Sequence, residues 1–483
     1  MTLIDEYLAI LNDLDGDEAG RRAARAYLET STNIYRGHVV ACDFMPKLYD
    51  ERLRDRMAEV AKVTYGILEK VMDRYLADPE YRRVFDFDPR LEELILCERH
   101  YPSHLPFARI DLFLDEETLG VKFCEFNADG SSGMNENREA ENAIATTASF
   151  AAFAEQHRMV SMNPVMFEGW VREFLRIYAS SDGAVAHPHV AIADYLEQSV
   201  TEEFKLYREL FRAAGVECSI YDVRDMTYEG GRLIGHKPYE GLGLEDAPID
   251  CIWRRAVAND VLDNWDASSA FLTAFREGAV ILIGSFLGHL AHDKQIFKAL
   301  ADERTRAFLT PEEVAFIDSA IPKTFYLDSR VVDLKAIAEN PDGWVIKPTD
   351  GYGSREVYPG PAFSKEEWAA IVAAHADGAS GAPFLVQEWC TPYKTPAIPL
   401  RGDEADYTRD PAPYNNLQGL YLMDGELAGI FTRLGPRPLI LGRHGGLTAP
   451  SFWVDCDSPF AGKSAAAAPV VSETTDATGG DIR

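Results

Sequence analysis

Residues 107–136 read FARIDLFLDEETLGVKFCEFNADGSSGMNE, two runs of strand-like alternation on either side of an acidic turn. Antiparallel pairing about Thr118 sets Asp111 opposite Glu125 and Arg109 opposite Asn127, because residue numbers across such a pair sum to a constant. These four side chains then share one face, and Ile110, Leu112, Leu114, Cys124 and Phe126 share the other, which buries against a core. A slip of one residue would mix the faces, so the pattern itself argues for this register. Two facing carboxylates about 4 Å apart repel by about 4 kcal/mol at an effective dielectric near 20, and something positive belongs between them. Arg109 offsets part of the repulsion. Asp111, Glu125 and Asn127 also make a hard oxygen set of the kind that suits Mg²⁺, which fills its coordination with water and substrate phosphates. An E-x-N row on a half-exposed hairpin is more often a plain wetted face. Here the small-residue loop ADGSSGMNE follows it and lets a ligand approach closely.

A second stretch, Trp344–Arg355, reads WVIKPTDGYGSR and ends a buried strand on Lys347. The lysine precedes its glycines, so this is not a P-loop, and Glu356 stands where a dinucleotide fingerprint needs its third glycine. What remains is a cation at a strand mouth beside a loop, Gly351, Tyr352, Gly353 and Ser354, whose backbone amides can turn toward an anion. Lys294, in AHDKQIFKAL, is a second candidate charge for phosphate oxygens. Downstream, FLVQEWC supplies a strand ending at Gln387, Glu388, Trp389 and Cys390, whose edge is placed to read an adenine. Alone, either lysine reads as a solvated surface group, and the last stretch reads equally well as an ordinary core strand.

Composition narrows the class. The chain of 483 residues exceeds what one core usually holds, and 46% hydrophobic with 11% aromatic residues is a globular composition. Lys plus Arg total 48 against 78 Asp plus Glu, a net charge of −30, which argues against nucleic acid or an anionic membrane as partner and favours a cationic ligand. The seven cysteines lack any C-x-x-C pair and several sit in apolar runs, as expected of reduced thiols. With neither a basic leader nor an apolar run long enough to span a bilayer, a cytoplasmic protein is expected.

The period of the pattern changes along the chain. Residues 1–100 read as a helical region, and 101–185 as the acidic hairpin followed by helices. From 186 to 290, strand and helix alternate as in a Rossmann-like parallel sheet; 291–461 holds further α/β elements, including NLQGLYLM and ELAGIFTR joined by an Asp424-Gly425 turn. Residues 462–483 are expected to form a disordered tail.

The order RID, EFNAD, DK, VIKP, glycine loop and VQEWC resembles the glutathionylspermidine synthetase family, whose ligase domain is a circularly permuted ATP-grasp fold with the metal ligands ahead of the lysines. The resemblance covers about residues 100–435, and RID with EFNAD is its most specific part. It implies an α/β chain with a Rossmann-like domain before the nucleotide site. It also implies ATP and Mg²⁺, with a carboxylate joined to an amine through an acyl phosphate. By motif, Arg109 would contact the transferred phosphoryl group, and Asp111, Glu125 and Asn127 would hold the metal. Lys294, Lys347 and the loop Gly351–Ser354 would hold the phosphates, and Gln387, Glu388, Trp389 and Cys390 would line the base. Arg254, Arg255 and Arg433 are candidates for a substrate carboxylate. The substrates expected are a small-molecule or peptide acid and an amine, a cationic one being favoured by the acidic surface. The amidase domain of well-known members is not expected, Tyr352 stands where arginine is common, and Asp293 precedes Lys294 where asparagine is usual. Two rival readings are a non-catalytic ATP-binding protein of the same fold and a phosphotransferase that releases its phosphorylated product.

Overall fold

The computed structural model describes residues 2–35, 37–351, 353–400 and 410–462. Tyr352 and the expected tail from residue 463 onward lie outside the described residues.

The acidic hairpin forms from Phe107–Leu114 and Val121–Asn127, with Arg109 opposite Asn127 and Asp111 opposite Glu125. Beyond that point the register shifts by one, and Leu112 lies opposite Phe123. This β-bulge corrects the expected alternation. One extra residue turns the strand over, so Phe123, 1% exposed, enters the core while Cys124 comes round to the site face.

The hairpin closes one edge of an eight-stranded sheet. Beside Phe107–Leu114 runs Ala412–Met423, and beyond it Glu426–Gly435, both antiparallel to their neighbours. Their connection is Asp424 and Gly425, at φ 47° and 89°, the two left-handed residues of a tight hairpin turn. A Cβ on Gly425 would lie 2.6 Å from the Tyr65 ring, so the turn also fixes how the helix Glu51–Ala77 docks. That helix buries Val60, Leu68 and Met72 in the same core as Leu420, Leu427 and Ile430 of the sheet.

The first hundred residues hold the expected helices, such as Leu3–Asp13 and Glu18–Thr30, but also strands without a readable period. Cys42–Asp43 joins the large sheet between Pro399–Leu400 and Leu447–Ala449, and Lys47–Tyr49 pairs in parallel with Ser451–Val454. Both strands are too short to show an alternation.

Two smaller sheets flank this body. Ile281–Ile283, Cys251–Arg254, His189–Asp194 and Glu217–Asp222 pair in that order, all parallel, with the helix Thr201–Ala213 crossing between the last two. The other sheet orders Thr324–Tyr326, Phe384–Glu388, Trp344–Pro348 and Tyr358–Pro359, all antiparallel. Its helices Leu334–Glu339 and Lys365–His375 cover it through Ile337, Trp368 and Val372 packed on Ile346 and Val386. Among the described residues, no helix is long and apolar enough to cross a membrane. All seven cysteines are free thiols.

Candidate functional site

A cleft, open to solvent, lies where the acidic hairpin meets the strands Trp344–Pro348 and Phe384–Glu388. Glu125, Lys294, Lys347, Ser354, Gln387, Glu388, Trp389, Cys390 and Arg433 all line it. Phe123, Val345, Pro359, Leu417, Leu439 and Ile440 supply apolar wall. The mixture of apolar wall with a few convergent charges suits a small-molecule ligand.

Lys347 stands at the end of its strand because Ile346 beside it is buried in the sheet core and Pro348 follows. Its Nζ donates to Gln387 Oε1 at 2.7 Å and to the Cys124 carbonyl at 3.2 Å, tying the central strands to the bulge. Burial lowers its pKa to about 8, with the Glu125 carboxylate resisting the fall and Lys294 adding to it. Gln387 is oriented in turn by Nε2 donating to Thr324 Oγ1. Lys294 Nζ donates to the Gly351 carbonyl at 2.9 Å, and its backbone amide donates to the Thr349 carbonyl, so the glycine loop and the second lysine are anchored together.

On the hairpin, Arg109 grips Asp111 through Nε at 2.7 Å and Nη2 at 3.1 Å, and Arg433 reaches the same carboxylate from the strand Glu426–Gly435. Asn127 Nδ2 donates to Asp111 Oδ2 at 3.2 Å and to Glu125 Oε1 at 3.3 Å. Burial drives Asp111 above the usual carboxylate range despite its two arginines. Burial acts the same way on Glu125, but the surrounding Lys294, Arg433, Arg109 and Lys347 outweigh it and hold Glu125 down at about 2. Gly419 makes the row possible: a Cβ there would meet Arg109 Cδ at 2.7 Å and Asp111 Oδ1 at 2.8 Å.

This donor set fits a polyphosphate. Four cations, Arg109, Arg433, Lys294 and Lys347, stand around two carboxylates, an excess of positive charge that attracts a nucleotide and repels a bare divalent ion. Glu125 and Asn127 offer oxygens of the hard type that Mg²⁺ takes. The oxygens of Asp111, by contrast, already accept from both arginines.

The other expected residues are placed differently. Arg109 is 7% exposed, under Tyr421 and Phe431, with Nη1 donating to the Ser132 carbonyl, so its guanidinium faces the row and not the open cleft. Arg254 and Arg255 do not line the cleft. Arg254 pairs with Asp129 and donates to the carbonyls of Gly284, Ala256 and Ser285, whereas Arg255 pairs with Glu203 at 3.2 Å and donates to the Ser131 carbonyl. Both therefore stitch the parallel sheet to the loop after the hairpin, away from the cleft, although the buried Nε of Arg255 has no hydrogen-bond partner among the described residues. At the base-reading edge, the amides of Glu388 and Trp389 already donate to the carbonyls of Lys323 and Gly343. The sequence reading missed Cys124 and the apolar wall residues, such as Leu417, Leu439 and Ile440; nothing in an apolar run announces which residue a bulge turns outward.

No protein-family model matches the sequence, and no curated protein matches it. Among solved structures, a glutathione synthetase-like effector of Globodera pallida, determined in its apo form, is similar with a TM-score of 0.58 and 10% identity, over 90% of this chain and 96% of that one. This chain and that effector share a fold. A putative gamma-glutamylcysteine synthetase of Methylobacillus flagellatus KT is a looser likeness, with a TM-score of 0.40 and 12% identity over 84% of this chain and 89% of that one.

Proposed function

We propose that this chain is an ATP-dependent carboxylate–amine ligase built on a circularly permuted ATP-grasp plan, with residues 186–290 as the domain preceding the nucleotide site and 291–461 carrying the nucleotide-binding part. The observation that carries this reading is that Glu125, ionised at the hairpin, faces Lys294 and Lys347, encoded far downstream, across a single cleft. Synthetase-like solved structures support the class of chemistry in general terms; the acid and amine are not given by them.

In this reading Lys294 exchanges its Gly351 carbonyl for phosphate oxygens and Lys347 exchanges its Cys124 carbonyl, while Gln387 keeps Lys347 aimed. Glu125, Asn127 and, after release of Arg433, Asp111 would hold Mg²⁺, which screens charge on the phosphates and helps align the phosphoryl group. A substrate carboxylate oxygen attacks the γ-phosphorus of ATP and ADP departs, leaving an acyl phosphate. The free base of the amine then adds to the acyl carbon, phosphate leaves with the C–O bond broken, and the amide nitrogen gives up its proton to solvent. Water must be kept from the acyl phosphate, a task that fits the glycine loop anchored at Lys294.

A second reading, a nucleotide-binding protein without turnover, is favoured by the closed state of Asp111, held by two arginines. One assay separates the readings. Full-length protein with Mg²⁺ and ATP is screened against acid and amine pairs for release of ADP and phosphate. The ligase reading expects release that requires both an acid and an amine and falls by about 10²-fold or more in Glu125→Gln. ATP binding with no stimulated release favours the second reading, and ADP with a stable phosphoester would make the protein a phosphotransferase.

A further inference from the structure

Next to the proposed nucleotide cleft, a buried group of imidazoles and carboxylates is not used by that chemistry. The short helix His289–His292 and the following Asp293 face Asp350, the residue that opens the glycine loop. Ligand atoms of His289, Asp293 and Asp350 all lie within 4.8 Å of one another. His289 Nε2 is 3.2 Å from Asp350 Oδ2, and His292 Nε2 is 3.9 Å from Asp350 Oδ1. Around a tetrahedral ion with bonds of about 2.1 Å, neighbouring ligand atoms sit about 3.4 Å apart, so these separations bracket what a metal requires.

Two further observations point to a ligand. His289 is 1% exposed, and its Nε2, despite standing so near Asp350, makes no directed hydrogen bond. Its other nitrogen, Nδ1, contacts Asp129 Oδ2 at 3.1 Å, and Asp129 is itself fixed by Arg254 and by the Ala258 amide at 2.8 Å. A carboxylate contacting Nδ1 while Nε2 stands close to two more carboxylates is, with Nε2 deprotonated by the ion, the outer-shell arrangement that orients metal-binding histidines. It also gives Arg254 a role as the support of Asp129.

We propose that His289, Asp293 and Asp350, with His292 alongside, form a site for a divalent transition metal of the zinc type. The donors are nitrogen and oxygen with no thiolate, a set that suits Zn²⁺ and its neighbours better than copper(I) or an iron–sulfur cluster. The ion clips Asp350, at the root of the glycine loop, to the segment carrying Lys294. This site is separate from the Glu125 row and does not depend on what reaction the cleft performs.

The test uses full-length protein stripped with a chelator and titrated with Co²⁺ in the absence of nucleotide. A visible d–d absorption should saturate at one ion per chain, be displaced by Zn²⁺, persist in Glu125→Gln, and weaken at least about tenfold in affinity in Asp350→Asn and His289→Ala. Because a buried substitution can unfold the chain, thermal melting is run beside it. Zn²⁺ should raise the Tm of the wild type and leave that of a folded Asp350→Asn variant unmoved. Absence of the absorption in the wild type, or equal cobalt affinity in wild type and folded Asp350→Asn, would overturn the proposal and leave His289 as an imidazolium bridging two aspartates.

Discussion

At the scale of single residues, the site is organised by an imbalance of charge. Cations outnumber carboxylates around Asp111 and Glu125, so the cleft should refuse a bare divalent ion and accept one that arrives with a polyanion. With the His289 site first filled by Zn²⁺, Mn²⁺ titrations followed by electron paramagnetic resonance should show little binding to the nucleotide-free protein and stoichiometric binding once a non-hydrolysable ATP analogue is present. Tight Mn²⁺ binding without nucleotide would contradict this. Lys347 supplies a second check. Burial lowers its pKa to about 8, so near pH 8 about half the molecules carry a neutral amine, and a bound phosphate draws a proton back onto it. Calorimetry in buffers of different ionisation enthalpy should register uptake of about half a proton per nucleotide at pH 8 and almost none at pH 6, with the difference gone in Lys347→Met. A strand lysine ahead of a glycine loop was legible as a charge for an anion. That Arg254 and Arg255 are consumed by Asp129 and Glu203 was not, because those partners are separated from them in sequence and only the fold brings them together.

At the scale of elements, what was legible was what alternation and turn chemistry can encode. The pairing of Asp111 with Glu125 follows from faces that match in only one register, and the Asp424-Gly425 turn follows from two residues suited to positive φ. The bulge after Asp111 was not legible, since Phe123 and Cys124 are both apolar and either satisfies a buried position. Nor were the short strands Cys42–Asp43 and Lys47–Tyr49, whose pairing with segments near the far end of the chain leaves no local trace. The turn carries a stability test. Gly425→Ala must place a Cβ against the Tyr65 ring at φ 89°, and the combined strain and clash should destabilise the protein by about 1–3 kcal/mol. Thermal melting should register a lower Tm, and an unchanged value would mean that the helix Glu51–Ala77 does not depend on this turn.

At the scale of the whole molecule, buried acids set the pH dependence of stability. Burial raises Asp194 to about 6, Asp43, Glu136 and Asp293 to about 7, and Glu141 to about 8. Each folded pKa lies above its unfolded value of about 4, so the stabilisation is full below pH 4 and is lost as pH rises through 6 to 8. Glu125 at about 2, with Asp129 and Asp350 also lowered, works the other way: their stabilisation is present above pH 4 and is lost on acidification. Lys347 and His189, both depressed by burial, gain with rising pH but are outnumbered by the acids. Melting curves should therefore give a higher Tm at pH 5.5 than at pH 8.5, and at pH 8.5 added salt should raise it by screening the net charge of −30. A Tm that climbs steadily with pH would reject this balance.

The same scale holds the central claim, that distant parts of the chain meet to grip one nucleotide. It is tested most directly by a crystal structure with Mn²⁺ and a non-hydrolysable ATP analogue, using anomalous scattering to locate the ion. The expected result is a manganese peak within bonding distance of Glu125 and Asn127, with phosphate oxygens on Lys294 and Lys347 and the base against the strand Phe384–Glu388. A nucleotide seated elsewhere, or a manganese ion that touches the phosphates but not the hairpin, would contradict the account.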